Sequence, residues 1–221
     1  MPRIVDILLG RSKPVQADLD ALFGLVGAQL TLQVSEGLVP TGQAGVCFKP
    51  VAGRSFAETA AEASQLLGLG DTTSGGAGAS GTPEAAGAAV EPVATGLHQE
   101  DDQYGFHWVV LTVPDFQDLV NQVHLVNSTL KDNGYGPQLL CSVFAFRPDP
   151  SAPVPRGDAP PVVHLVYLYK RGAFYPFIPV PGSEERRDVE SELRLQNVLA
   201  DDLKIESDKE RWMPLWGLPV R

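Results

Sequence analysis

Two segments, residues 139–146 and 162–170, are apolar at nearly every position. A strand with that pattern has no face to leave in water, so it belongs inside a sheet covered on both sides. A third apolar segment, residues 174–180, follows across Lys170-Arg171-Gly172-Ala173, which reads as a tight hairpin turn. Parallel pairing needs a crossover of about a dozen residues or more, so strands joined this closely pair antiparallel.

The rest of the chain is read around that sheet. Residues 104–113 are rich in aromatic and β-branched side chains and predict a strand. Pro114 opens a helix whose apolar stripe is Phe116, Leu119, Val120, Val123, Val126 and Leu130, and Asn133-Gly134 ends it. Upstream, Leu19, Leu22, Phe23 and Val26 predict a helix over 15–26. The alternation Leu30-Thr31-Leu32-Gln33-Val34 predicts a strand, and residues 45–49 a second one, reached through the turn-prone Pro40-Thr41-Gly42. Ser55, with Glu58 at the third position, caps a helix running to residue 67. Ser183 caps a last helix, with Glu184 and Glu185 in its first turn. The closing Trp212-Met213-Pro214-Leu215-Trp216 is expected to fold back, since two exposed tryptophans would leave a sticky patch. The fold class is α+β: a mostly antiparallel sheet flanked by helices.

Residues 70–96 are dominated by Gly, Ala, Ser and Thr, with no Leu, Ile or aromatic. Such a segment buries too little apolar surface to offset its ordering entropy. It divides the chain into an N-terminal part (1–69), a Gly/Ala-rich acidic linker or loop (70–102) and a C-terminal part (103–221). Each part alone is poor in strands, so 1–69 and 103–221 are expected to form one domain.

The 221 residues carry 27 acidic and 17 basic side chains, a net charge of -10. Six of the carboxylates fall in 70–102, where there is no Lys or Arg. A chain of this sign is poorly suited to the phosphate backbone, so no nucleic-acid partner is expected. No run reaches the roughly 18 apolar residues of a membrane span. The apolar N-terminal stretch is short and broken by Asp6, which argues for a cytoplasmic protein. The two cysteines, Cys47 and Cys141, lie in apolar runs and read as small buried hydrophobes in a reducing compartment.

Reactive side chains are dispersed. His98, His107, His124 and His164 have no metal-motif spacing, and neither cysteine stands in the electropositive setting that activates a thiol. There is no GxSxG, Walker loop or GxGxxG, and the glycines of 75–81 lack the strand and Lys-Ser/Thr of a phosphate loop. No enzyme activity, cofactor or metal is expected.

Two polar–aromatic clusters remain. The hairpin Tyr167, Tyr169, Lys170, Arg171, Phe174, Tyr175 and Phe177 sets cations at the tip of an aromatic ribbon. It reads either as an ordinary hairpin with an aromatic core face or as an anchor for a partner, and it is the first choice for an interaction surface. With Asn127 and Ser128, the side chains Tyr167, Tyr169 and Lys170 supply the alternative: a small-ligand or enzyme pocket. At the N-terminus, Ile4, Val5, Leu8 and Leu9 share a helical face flanked by Arg3, Arg11 and Lys13, suited to a partner helix or to peripheral contact with an anionic membrane.

Several of these segments resemble the actinobacterial PspA-associated protein PspAB family. They are Leu9-Gly10-Arg11-Ser12-Lys13-Pro14, Asp20-Ala21-Leu22-Phe23, Val39-Pro40-Thr41-Gly42, Val46-Cys47-Phe48, His124-Leu125-Val126-Asn127-Ser128, the run from Gly134 to Ser142, the Tyr167–Phe177 block and the closing Trp212–Gly217. The resemblance covers nearly the whole chain except 70–96. It implies an accessory protein associated with phage-shock protein A, a peripheral membrane protein of envelope stress, and brings no reaction or catalytic residues with it. The helix, paired strands and final helix after Pro114 also look like the type III secretion chaperone-like fold, at the level of fold alone.

Overall fold

A computed structural model describes residues 18–49, 96–151, 162–183 and 185–221. The segment with Ile4, Val5, Leu8 and Leu9, the start of the helix predicted over 15–26, the helix predicted over 55–67 and most of the 70–102 segment lie outside the described residues.

Six strands form one antiparallel sheet: β1 (Leu38–Phe48), β2 (Gly96–Asp101), β3 (His107–Thr112), β4 (Leu139–Pro148), β5 (Val163–Leu168) and β6 (Ala173–Phe177), in the order β2-β3-β1-β4-β5-β6. The α+β expectation holds. The central position belongs to β1, which pairs with β3 on one side and β4 on the other.

Helices cover one face. A 3-10 turn, Leu19–Phe23, runs into α1 (Gly24–Glu36), which Gly37 ends in a left-handed conformation at φ 64°. Helix α2 (Phe116–Leu130) starts at Asp115, whose carboxylate accepts the Asp118 N–H at 2.9 Å, and all six residues of its predicted stripe are buried. Helix α3 (Val189–Val198) lies against β6. This helix-side core includes Leu22, Leu25, Leu32, Val109, Phe144, Phe146, Leu165 and Leu195. The opposite face carries a second core of Trp108, Val110, Val143, Val166, Tyr175 and Phe177, roofed by the tail residues Trp212, Trp216 and Val220. The tail does fold back.

Four sequence expectations are corrected. Residues 30–34 are helical, not a strand: Leu32 faces the core, while Leu30 and Val34 are 62% and 86% exposed. Pro40-Thr41-Gly42 is a bulge within β1, where the register with β4 shifts between Pro40 and Ala44, and Gly42 stands at φ 82°. The last residues of the 70–102 segment are not linker, because Gly96–Asp101 pairs with β3 as an edge strand. The cap of the final helix is Asp188, which accepts the Ser191 N–H at 3.1 Å, rather than Ser183.

Candidate functional site

Alternation along β5 and β6 sends the hairpin aromatics to opposite faces of the sheet. Tyr167, Tyr169 and Phe174 enter the helix-side core, and Tyr175 and Phe177 the tail-side core. All five are at most 6% exposed. The Tyr167 hydroxyl donates to the Asp18 carbonyl at 2.6 Å, and burial and the nearby acidic Asp18 raise its pKa. The Tyr175 hydroxyl donates to the Met213 carbonyl at 2.8 Å, and its ring stacks on Trp212 at 5.9 Å. Phe177 meets Trp216 edge-on at 5.3 Å. These rings join three layers of the protein instead of displaying an adhesive ribbon, which corrects the anchor reading for the aromatic part. Lys170 and Arg171 stay exposed at the turn, where Gly172 is left-handed at φ 56°. The Arg171 guanidinium is held by Glu206 at 2.7 Å, a pairing that lowers the carboxyl pKa of Glu206 and raises that of Arg171.

Of the residues of the alternative pocket, Asn127, Tyr167 and Tyr169 are built into the core. Asn127 is buried and donates to Val123 O at 2.8 Å and to Ser142 Oγ at 2.9 Å. Its amide nitrogen ties α2 to β4, while its Oδ1 is buried with no hydrogen-bond partner among the described residues. None of Asn127, Ser128, Tyr167, Tyr169 or Lys170 lines the cavity described next.

That cavity lies on the tail side of the sheet and encloses about 360 Å³, within the range of small-ligand sites. Its walls are mainly apolar: Phe106, Trp108, Leu140, Leu168, Tyr175, Leu215, Trp216 and Leu218. Cys47 and Cys141, direct register partners on β1 and β4, both line it. Hydrogen bonding with Cys141 and burial push the Cys47 thiol pKa well up, so Cys47 is no activated nucleophile. Asp102 stands at the same cavity, but its carboxylate is already engaged. One oxygen accepts the Tyr104 and Phe106 N–H groups, each at 2.9 Å, and the other accepts Trp108 Nε1 at 3.0 Å. Lys49 is also in the lining, at the exposed end of β1. The arrangement suits an apolar body better than a polar reaction. Sequence reasoning treated the cysteines as packing and missed their pairing, because the cavity draws on six separate stretches of chain.

The histidines are dispersed, as expected. His124 pairs with Asp20 at 3.4 Å and stacks on Phe23, His107 meets Asp101, His98 lies 3.8 Å from Glu100, and His164 is bonded to the Val220 carbonyl. No group of three or more His, Cys, Asp or Glu able to hold a metal occurs among the described residues. Among them, too, no helix is long and apolar enough to cross a membrane.

A different feature lies on the outer side of α1. Leu22, Leu25, Ala28 and Leu32 face the core, while Phe23, Gly27, Leu30 and Val34 occupy the opposite side, spaced four, three and four apart. That is the spacing of a coiled-coil seam. Phe23 is 42% exposed, and a side chain at Gly27 would meet open space. The helix therefore shows apolar residues to both the core and the solvent.

No curated protein and no solved structure matches this chain. The family model described as PspA associated protein B matches residues 2–220, so the chain belongs to the PspA associated protein B family.

Proposed function

We propose that this chain is a non-enzymatic accessory protein of a phage-shock-type envelope stress response, acting in the cytoplasm at the inner face of the membrane by binding a PspA-like partner. The observation that carries this reading is membership, over residues 2–220, of a family described by its association with PspA. The contact is assigned to α1 before the hairpin. Leu30 and Val34 hold apolar surface in water at coiled-coil spacing, and burying such side chains yields about 1.5–3 kcal/mol each. The seam fits an amphipathic helix of the partner. The hairpin offers only Lys170 and an Arg171 already engaged by Glu206. Ile4, Val5, Leu8 and Leu9 remain candidates for membrane or partner contact in this proposal.

The test is capture of the PspA-like protein from native lysate by immobilised full-length chain, read by mass spectrometry. Two variants are compared with the parent: Leu30→Asp with Val34→Asp, and Lys170→Ala with Arg171→Ala. The first is expected to lower recovery by about tenfold or more, the scale of hot-spot loss, without moving the melting temperature. The second is expected to retain it. Loss confined to the second variant returns the contact to the hairpin. Absence of the PspA-like protein from every eluate overturns the reading.

A further inference from the structure

We propose that Cys47 and Cys141 are a reversible cross-strand disulfide pair, closed by a hydroperoxide that enters the tail-side cavity. The chain has two cysteines, and the fold sets them directly opposite each other on adjacent antiparallel strands although 94 positions separate them in sequence. Both thiols are free and buried. Directly opposed residues of an antiparallel pair have Cα atoms about 4.5–5.5 Å apart, inside the roughly 4.4–6.8 Å window of disulfides. The register between β1 and β4 shifts between Cys47 and Phe48, and a bulge at that point gives the backbone local freedom to draw the sulfurs together.

Access comes from the cavity. Both cysteines are in its lining, together with Tyr104 and Met213, which are 53% and 58% exposed and stand toward solvent. A hydroperoxide is small and uncharged and crosses apolar walls without leaving a charge unpaired. The first attack falls to Cys141, 6% exposed against 2% for Cys47. The Cys141 thiol sulfur attacks the peroxide. An S–O bond forms, the O–O bond breaks, and the departing hydroxide takes up the proton that the thiol released, giving water. Cys47 sulfur then attacks the sulfenic sulfur. The S–S bond forms, the S–O bond breaks, and hydroxide leaves with the Cys47 proton as a second water. Two thiols give up two electrons and one hydrogen peroxide accepts both, yielding a disulfide and two waters. An external dithiol reverses the bond by exchange.

The test uses the full-length chain, folded, with hydrogen peroxide as the probe, followed by alkylation in denaturant and proteolysis. The expected product is a single peptide pair joined through Cys47 and Cys141, lighter than its reduced parts by two hydrogens. It should be lost on treatment with dithiothreitol and absent from interchain species on a non-reducing gel. Because the bond closes a loop of this length, the oxidised chain is expected to melt at least several degrees above the reduced one. In Cys47→Ser, Cys141 should be trapped by dimedone as the sulfenic acid, whereas in Cys141→Ser, Cys47 should stay unlabelled. The reverse labelling overturns the order of attack. Oxidised parent chain that holds only reduced, over-oxidised or interchain cysteines overturns the pair itself, and this readout stands even if a serine variant fails to fold.

Discussion

Arg187 and Glu192 are paired inside the protein, with Arg187 Nε 2.9 Å from Glu192 Oε1. The same carboxylate oxygen accepts the Ile178 N–H at 2.9 Å, and Arg187 Nη1 donates to the Trp212 carbonyl. One ion pair thus ties α3, the end of β6 and the tail together. Glu192 is 2% exposed, so burial raises its carboxyl pKa, while Arg187 pulls the other way. Glu192→Ala leaves the Arg187 charge without its carboxylate and the Ile178 N–H without that acceptor, and is expected to cost about 3–5 kcal/mol in urea unfolding. Glu192→Gln keeps an acceptor for Ile178 and should cost less. A loss under about 1 kcal/mol for the alanine variant would show that the tail is held elsewhere.

Asn127 and Ser142 form the polar tie between α2 and β4, both fully buried or nearly so. Asn127→Leu removes the donor and strands the Ser142 hydroxyl in an apolar core. The expected cost is about 1–3 kcal/mol, as for other buried polar groups left without a partner. Adding Ser142→Ala should recover part of that loss, since no orphaned group remains. If the double variant is less stable than the single one, the hydroxyl is satisfied by another route.

The sheet was legible because its central strands are apolar on both faces, and α2 because its stripe repeats at helical spacing beside a polar face. Helix α1 was not. Its second apolar row, Phe23, Leu30 and Val34, interleaves with Leu32 and imitates the period of a strand. Strand β2, Gly-Leu-His-Gln-Glu-Asp, is an edge strand largely in water, so β-forming residues are not demanded of it. The hairpin was read with one aromatic core face, whereas its alternation sends the rings two ways. The alternation could not show that both faces are roofed, because the second roof is an irregular tail with no periodicity to read. The cavity stayed hidden for the same reason: Trp216, Leu215 and Met213 reach it from that tail. One local signal was available. A glycine, Gly45, stands within a strand of apolar residues, which marks close approach by another part of the chain.

Gly45 makes that approach possible. A Cβ there would lie 2.7 Å from Val220 Cγ2 and 3.1 Å from the Trp108 ring. Gly45→Ala therefore has to push the tail off the sheet or tilt the indole. Overpacking of this kind costs about 1–3 kcal/mol. The expected signature is local as well as global: altered tryptophan fluorescence and faster proteolysis near residue 220, alongside a lower urea midpoint. Trimming Val220 to Ala in the same chain removes the clashing methyl and should restore part of the stability. A Gly45→Ala variant as stable as the parent would mean that the tail is not seated against β1.

His164 makes the tail sensitive to acid. It is 4% exposed and bonded to the Val220 carbonyl at 3.1 Å, and burial lowers its pKa from 6.5 to about 4. Above pH 6.5 the ring is neutral in both the folded and unfolded chain, and the shift has no effect. Below 6.5 the unfolded chain binds a proton that the folded chain refuses, so stability falls until the folded ring titrates near pH 4. A shift of that size corresponds to about 3 kcal/mol lost across the interval. The Glu206 carboxyl, whose pKa is lowered by Arg171, adds its own loss at the acid end. His164→Gln retains an N–H donor for Val220 but cannot titrate, and it leaves Glu206 untouched. Comparing urea unfolding of the two chains at pH 7 and pH 4 therefore isolates the histidine: the parent should lose about 3 kcal/mol more than the variant. Parallel losses in both chains would place the acid sensitivity in the carboxylates instead.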